Sequence, residues 1–167
     1  AKGKIGFRGL PGGHEFSSLV LAILHVDGKG KQPDAGITQR ISRIRGPVRL
    51  KTYISLSCEN CPEVVQALNL MATHHPDFKH EMIDGGMVVN EVEALGIQGV
   101  PSVMNEGQLV HSGKAQLIDL VTKLEEVFGK VTDQSVQQDL GLFDVVVIGG
   151  GPAGATSAIY SVRKGLK

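Results

Sequence analysis

The chain has 167 residues, and its 17 acidic and 17 basic side chains give a formal net charge of zero at neutral pH. That length allows one ordinary domain with additional segments, and the balanced charge argues against a surface for nucleic acid or anionic membranes. The longest apolar run, residues 19–24, is too short to span a bilayer, and the first residues lack a signal-peptide pattern. We therefore expect a cytoplasmic chain with no nucleic-acid or membrane partner.

The first 33 residues contain a strand-like segment, a glycine-rich turn and a helical segment. The same order recurs later in the chain, where Gly113 and Leu124 match Gly13 and Leu24 at a constant offset. Any two amphipathic helices can share such spacing, so the match is weak by itself. The repeat predicts that residues 1–33 are the carboxyl-terminal end of one copy of a fold that occurs twice.

Residues 34–129 are predicted to form a domain in which helices and strands alternate. Apolar and polar side chains alternate over residues 48–56, which predicts a strand. The next segment predicts a helix, because Pro62 and Glu63 suit a first turn and apolar residues recur at helical spacing as far as Pro76. The full predicted order is helix, strand, helix, strand, helix, two strands and helix, which is typical of an α/β fold.

The remaining residues change character twice. Residues 130–141 are polar and lack an apolar period, which predicts a linker. An apolar run at 143–148 predicts a buried strand, and a helical segment follows it. Between them lie three glycines with the spacing G-x-G-x-x-G: Gly149, Gly151 and Gly154. This context is typical of dinucleotide binding at a helix amino terminus, so residues 142–167 predict the start of such a domain.

The only two cysteines, Cys58 and Cys61, lie where the predicted strand turns into the predicted helix. Two cysteines are too few for a disulfide-stapled secreted scaffold, and a C-x-x-C pair in a reducing compartment is usually catalytic, redox-active or metal-binding. The pair is compatible with a zinc half-site, a structural disulfide or a redox-active dithiol.

The zinc alternative rests on the spacing Cys58-x2-Cys61-x12-His74-x5-His80, which fits a Cys2His2 finger. A finger places its cysteines on a hairpin and its histidines on one helix, whereas here a helix begins at the cysteines and Pro76 separates the histidines. We therefore expect no bound metal. The histidines of this region are expected to be exposed surface residues, namely His74, His75 and His80.

A redox role explains the position of the pair. A disulfide that closes so small a loop constrains the unfolded chain little, whereas a helix amino terminus stabilises the thiolate that carries out disulfide exchange. The position predicts that Cys58 is the attacking cysteine and Cys61 the resolving one. Pro101 is a further candidate, because the Val100–Pro101 bond can be cis at modest cost. An ordinary trans proline at a strand start is the alternative.

The order of these features resembles the thioredoxin fold: a strand, a C-x-x-C, a helix and then Gly-Val-Pro before another strand. The similarity extends, in order, to HEFSSLVLAIL, YISLSCENCPEVVQALNLM, IDGG, NEVEALGIQGVPSV and VVVIGGGPAGATSAIYSVRKG. These segments resemble the flavoprotein component of bacterial alkyl hydroperoxide reductase over nearly the whole chain. The resemblance implies a thioredoxin-like domain with a mixed central sheet at 34–129. The chain would begin inside a preceding thioredoxin-like fold and end just inside a Rossmann-like FAD domain.

In that family electrons pass from NADH to FAD, to a dithiol in the reductase part, to the C-x-x-C and then to a peroxiredoxin. The resemblance implies a dithiol–disulfide carrier whose partners are the peroxiredoxin that reduces alkyl hydroperoxides and its own carboxyl-terminal reductase domain. FAD and NADH belong to the full-length family, and no cofactor is expected in this chain alone. The alternatives are a stand-alone thioredoxin- or glutaredoxin-like oxidoreductase with another partner and, outside the enzymes, a structural metal domain.

The resemblance also implies that Glu15 lies beneath the disulfide and helps to move protons, although the residues alone favour an exposed glutamate in a first helical turn. The family usually has a histidine after the first cysteine, where this chain has Glu59. A carboxylate beside the attacking sulfur disfavours the thiolate, so we expect a disulfide that is harder to reduce.

Overall fold

The computed structural model of the protein describes residues 4–131 and 141–166. The chain divides into two compact units, Ala1–Thr132 and Asp133–Lys167. Every helix in these described ranges is too short or too polar to serve as a transmembrane span.

Helices and strands alternate through the first unit. In chain order the elements are β1 (Ile5–Arg8), α1 (Phe16–Val26), α2 (Ala35–Ser42), β2 (Val48–Ile54), α3 (Cys61–His74), β3 (Phe78–Asp84), α4 (Val89–Ala94), β4 (Ser102–Asn105), β5 (Gln108–Ser112) and α5 (Leu117–Phe128). Short 3₁₀ helices precede α1 and α4, at Gly13–Glu15 and Gly85–Met87. The element order predicted for residues 34–129 is confirmed.

The strands form one mixed five-stranded sheet with the order β1-β3-β2-β4-β5. β3 pairs in parallel with both β1 and β2, whereas β4 pairs antiparallel with β2 and β5. The carboxyl ends of parallel strands meet at one edge of a sheet, so the loops that follow β1, β2 and β3 lie at that edge. The cysteine pair follows β2 and therefore lies there.

The main core lies between one face of the sheet and helices α2, α3 and α5. α3 lies at its centre, with Val64, Leu68 and Met71 fully buried. The other face of the sheet carries a smaller apolar cluster around Tyr53, Ile83 and Met104, which packs against residues in and around α4. A mixed sheet with helices on its two faces confirms the predicted fold class.

The amino-terminal segment is part of the same compact unit. β1 extends the sheet beside β3, with Ile5 opposite His80. α1 packs on α3 and buries Ser18 and Ala22. The predicted boundary after residue 33 therefore does not separate two compact units, because β1 completes its backbone pairing only in this sheet. The origin of residues 1–33 in another copy of the fold stays a prediction.

The end of the first unit includes the first residues of the predicted linker. Lys130 forms a β-bridge with Ile44, and the amide of Val131 donates to the carbonyl oxygen of Arg43, so the first residues of the predicted linker are held against the first unit. Most of that linker, residues 132–140, lies outside the described residues.

The second unit contains helix α6 (Pro152–Arg163) directly after the glycine motif, as predicted. The predicted strand at 143–148 is wrong, because these residues are not in a strand. In the described part of this unit α6 is the sole regular element, so the apolar run has no neighbouring strand with which to form a ladder.

Candidate active site

Cys58 and Cys61 form a disulfide at the point where β2 turns into α3, with their Cα atoms 5.5 Å apart. Cys61 is the first residue of α3 and has an exposed fraction of 0%. Cys58 lies in the loop before the helix and is half-buried. An attacking thiol from another molecule reaches the more exposed sulfur, so this difference favours the predicted roles of the two cysteines.

The local sequence explains why a helix begins here. Pro62 occupies the first turn, where its missing amide hydrogen costs no helical hydrogen bond, and Glu63 suits the positive end of the helix dipole. Val64 and Val65 are fully buried and hold the helix on the sheet. The amino terminus of α3 therefore points at the cysteine pair, where its dipole stabilises a thiolate.

The segment before β4 lies beside the outer cysteine. The Val100–Pro101 peptide bond is cis, and the carbonyl oxygen of Val100 is 3.9 Å from Sγ of Cys58. The hydroxyl of Ser102 donates to the carbonyl oxygen of Gly99 at 2.7 Å, which ties the start of β4 to this segment. Pro101 is thus placed next to the disulfide, and the backbone carbonyl of Val100 lies beside the Cys58 sulfur.

Glu15 is completely buried, with an exposed fraction of 0%, so the alternative of an exposed glutamate is excluded. Neither of its carboxylate oxygens has a hydrogen-bond partner of normal geometry among residues 4–131 and 141–166, although the hydroxyl of Ser18 lies close enough to affect the carboxyl group. Burial raises the pKa of Glu15, while nearby Ser18 and His14 partly oppose that effect. The residue is therefore a carboxyl group with an increased affinity for a proton.

The turn that holds Glu15 packs against α3 and against the loop that leads to the cysteines. A side chain at Gly13 would place its Cβ only 2.8 Å from the carbonyl oxygen of Leu56, and Gly13 has a φ of +55°. Glycine is required at this close approach. The contact brings the turn with Glu15 next to the loop residue that precedes Cys58 by two positions.

The three histidines of the zinc alternative are not exposed surface residues, so that prediction was wrong. His75 and His80 are each 2% exposed, and Nε2 of His74 is buried. Nε2 of His80 is 2.7 Å from Oγ1 of Thr52, and its Nδ1 is 2.7 Å from Oδ1 of Asn69. Both ring nitrogens are engaged in the core, so His80 is not available to the cysteines.

Within the described residues, no three side chains of the metal-binding types His, Cys, Asp and Glu converge on one point. The buried contacts of Thr52, Asn69 and His80 were missed by the sequence reasoning. One signal for them was present, because His80 falls on the inward side of β3, between Phe78 and Met82.

The glycine motif of the second unit has the backbone geometry that such motifs require. Gly149 has a φ of +113°, and a Cβ on Gly154 would lie only 2.1 Å from the carbonyl oxygen of Gly149. A tight turn and close packing at the helix start are the reasons for glycine in a dinucleotide-binding turn. These residues therefore fit the pyrophosphate of a dinucleotide at the amino terminus of α6.

A disulfide at the start of the helix that follows a central strand, beside a proline that precedes an antiparallel strand, defines a thioredoxin-like disulfide oxidoreductase domain. Residues 48–126 match the thioredoxin domain family. The NTD_N/C domain of alkylhydroperoxide reductase AhpF from Enterococcus faecalis V583 superposes with a TM-score of 0.67 at 30% identity, covering 72% of this chain and 58% of that one. A protein disulfide oxidoreductase from Aeropyrum pernix shares the fold, with a TM-score of 0.67 at 23% identity and coverage of 78% and 59%.

Proteins of similar sequence identify the family more closely. The chain is 44% identical to the F subunit of alkyl hydroperoxide reductase from Pseudomonas aeruginosa, covering 96% of this chain and 31% of the relative. It is 45% identical to a Bacillus subtilis protein named NADH dehydrogenase, with coverage of 98% and 31%. The chain is thus a homologue of the F subunit of alkyl hydroperoxide reductase, as its sequence predicted, and spans about a third of the length of these relatives.

Proposed function

We propose that the chain is a dithiol–disulfide carrier that passes electrons from a flavin-dependent reductase domain to a peroxiredoxin that reduces alkyl hydroperoxides. The observation that carries the proposal is the disulfide at the start of α3, with Cys58 half-buried and Cys61 fully buried. The relatives named as the F subunit of alkyl hydroperoxide reductase suggest the electron donor and acceptor. A cytoplasmic location is part of the proposal, since a compartment that keeps thiols reduced suits a redox-active dithiol.

The carrier is loaded by two exchange steps that deliver two electrons. A thiolate of the reductase attacks the sulfur of Cys58, and the bond to Cys61 breaks, so that Cys61 leaves as a thiolate and takes a proton. The second thiolate of the reductase then attacks the reductase sulfur that is bonded to Cys58 in this mixed disulfide. The reductase is left with a disulfide, and Cys58 is released as a thiolate stabilised by the α3 amino terminus.

The carrier is unloaded by the same chemistry in reverse. The Cys58 thiolate attacks a disulfide of the peroxiredoxin, and the leaving cysteine of that partner takes a proton. Cys61 then loses its proton and attacks Cys58, which reforms the internal disulfide and releases the partner as a dithiol. The Val100 carbonyl, 3.9 Å from the Cys58 sulfur, offers an acceptor to an extended partner segment, which is the role proposed for the turn at Pro101.

Glu15 is proposed to hold the proton that Cys61 gains and loses. Its raised pKa suits exchange with a thiol, because proton transfer is efficient between groups of similar proton affinity. As an acid it protonates the departing Cys61 thiolate, and as a base it takes the proton back when Cys61 attacks.

The glycine turn is proposed to bind the pyrophosphate of FAD through Gly149, Gly151 and Gly154. When bound, FAD accepts hydride from NADH and passes the electrons on to a dithiol. In this chain the residues of the turn contribute closely approaching backbone and the amino terminus of α6.

Residues 1–33 are proposed to be the end of a second thioredoxin-like fold. The match between Gly13 and Gly113 aligns Val20 and Leu24 of α1 with Leu120 and Leu124 of α5. In α5 these positions are 1% exposed and pack in the core, whereas in α1 they are 39% and 37% exposed. The difference is explained if another part of that second fold covers α1.

A trapping experiment tests the proposed function. Cys61→Ser protein, reduced and freed of reductant, is mixed with the oxidised peroxiredoxin component of an alkyl hydroperoxide reductase and analysed on non-reducing gels. We expect a mixed disulfide through Cys58 to accumulate. Cys58→Ser is the matched control and should trap little, because its remaining cysteine is buried.

Two results would contradict the proposal. Better trapping by Cys58→Ser would reverse the cysteine roles. Reduction of a general substrate such as insulin without any transfer to the peroxiredoxin would favour a stand-alone oxidoreductase with another partner.

A further inference from the structure

Three polar side chains from three different elements meet in the core of the first unit. They are Thr52 of β2, Asn69 of α3 and His80 of β3, and none of them is more than 2% exposed. Polar groups are costly in such a place unless they are hydrogen-bonded. These three differ from other buried polar residues in linking three elements through one chain of hydrogen bonds, which indicates a specific role.

The hydrogen bonds of the cluster have defined directions. Oδ1 of Asn69 is an acceptor, so Nδ1 of His80 donates to it at 2.7 Å. Nε2 of His80 then accepts from the hydroxyl of Thr52, also at 2.7 Å. Burial lowers the pKa of His80 to about 3, so the ring is neutral at physiological pH and keeps this donor–acceptor pattern.

The cluster lies one layer below the disulfide. On α3, Cys61, Val65 and Asn69 follow each other at intervals of four residues and therefore share one face of the helix. Cys61 and Val65 pack with Ile54 of β2 and Met82 of β3. Thr52 and His80 precede those two residues by two positions on the same side of their strands.

The same strand fixes the other half of the active site. β2 pairs with β4, where Thr52 lies opposite Val103 and Tyr53 lies opposite Ser102. Val100 lies two positions before Ser102, and its carbonyl oxygen lies beside Cys58. The distance between the cysteines and the partner-binding backbone therefore depends on where α3 sits along β2.

Apolar packing alone does not fix that position sharply, since it is non-directional and tolerates small sliding movements. Two short hydrogen bonds between α3, β3 and β2 do fix it. We infer that Thr52, Asn69 and His80 are positioning residues, which set the height of α3 along β2 and thereby hold the cysteine pair in register with the Val100 carbonyl. This inference rests on the proposed redox role of the cysteines.

The test separates the effect of losing the Thr52 hydroxyl from the effect of changing the volume of that side chain. Thr52→Val keeps the shape and removes the hydrogen bond, whereas Thr52→Ser keeps the hydroxyl and removes a methyl group. Two redox readouts are measured on each purified protein: the equilibrium constant with glutathione, and the rate at which the reduced protein attacks the small disulfide 5,5′-dithiobis(2-nitrobenzoate).

We expect Thr52→Val to slow the exchange about tenfold, because small misplacements of reacting groups cost such factors, and to change the glutathione equilibrium. Thr52→Ser should match the parent protein in both readouts, even where its thermal midpoint falls. A purely structural role predicts the reverse pattern, in which both variants lose stability and neither changes redox behaviour.

Asn69→Leu is the second variant, and it removes the link on α3 itself. The amide nitrogen of Asn69 has no hydrogen-bond partner in the described residues, so leucine of similar size also removes an unsatisfied group. Ile41→Val in α2 is the control, because it removes one methylene from the main core without touching the cluster. It should lower the thermal midpoint and leave both redox readouts unchanged.

Parent-like exchange rates and equilibria in folded Thr52→Val and Asn69→Leu would overturn the inference. Neither readout uses the peroxiredoxin, so a failure of the proposed function, seen as absent transfer to that partner, is distinguished from a failure of the positioning role.

Discussion

Replacement of Glu15 tests the buried carboxyl group most directly. Glu15→Leu fills a similar volume and removes two oxygens that have no hydrogen-bond partner in the described part of the chain. A buried unsatisfied polar group costs about 1–3 kcal/mol. We therefore expect Glu15→Leu to raise the free energy of unfolding by about 2 kcal/mol at pH 7, which for a unit of this size is roughly 8 °C in the thermal midpoint.

The pH dependence supplies a second signature. Burial raises the pKa of Glu15 in the folded protein above its value in the unfolded chain. The folded state then binds the proton more readily, so this contribution to stability is fully present below the unfolded pKa of about 4.3 and is lost as pH rises through the folded pKa. The advantage of Glu15→Leu over the parent should therefore be small at pH 4 and grow with pH. Glu15→Gln, neutral at every pH, should lack this dependence.

The rate of disulfide transfer should fall in these variants, although the stability of Glu15→Leu rises. If Glu15 holds the proton of Cys61, both variants lose a general acid and base, for which a loss of about a hundredfold is typical. The assay is the rate of disulfide transfer from the reduced protein to the peroxiredoxin at pH 7, followed by rapid quenching with acid. Parent-like transfer rates would refute the proton role, and a lower thermal midpoint of Glu15→Leu would refute the claim that the carboxyl group is unsatisfied.

Two further changes test the surroundings of the disulfide. Glu59 is exposed, so Glu59→Gln should shift the glutathione equilibrium about two- to fivefold towards the dithiol. Salt should weaken this effect. An unchanged equilibrium or an opposite shift would show that Glu59 does not oppose the Cys58 thiolate. Gly13→Ala should cost about 2 kcal/mol in urea unfolding, because it adds a contact of 2.8 Å with Leu56 to an unfavourable φ. Gly28→Ala is its control, since it has a φ of +75° with open space around it and should cost less; equal losses would mean that the turn does not press on the loop of Cys58.

The sequence was sufficient where the signal is local. The change of period at Cys58 and Cys61, from strand to helix, is contained in about twenty neighbouring residues, and the fold places the pair where that change predicts. The position of Pro101 was also predictable, because its neighbours Gly99 and Ser102 mark a turn and a strand start.

The sequence was insufficient where partners come from distant elements. His80 was predicted to be exposed once a zinc site had been rejected, although its place between Phe78 and Met82 on β3 is inward. Its hydrogen-bond partners, Thr52 and Asn69, lie 28 and 11 residues away in the chain. The alternation of β3 indicates that His80 points inward, but no local pattern identifies the distant residues with which it pairs.

The strand prediction at residues 143–148 failed because a local apolar signal was present without a neighbouring strand. An apolar run reports a tendency to be buried in a sheet, and a strand exists only when neighbouring strands satisfy its backbone groups. β1 illustrates the same dependence, because its four residues form a strand by pairing with β3. In both cases the presence or absence of a neighbouring strand determined whether the segment formed a strand.

The charges around the disulfide explain when Glu15 can act as a base. In the free dithiol the Cys58 thiolate and the neighbouring Glu59 carboxylate are both negative, and a third negative charge at the buried Glu15 would add repulsion to an already unfavourable burial. Once Cys58 enters a mixed disulfide, its sulfur is neutral and that repulsion falls. If Glu15 exchanges a proton with Cys61 as proposed, it should ionise most readily in the intermediate in which Cys61 must lose its proton. On that proposal the charge state of Cys58 sets the timing of proton transfer, and the resolving step is favoured only after a partner has been captured.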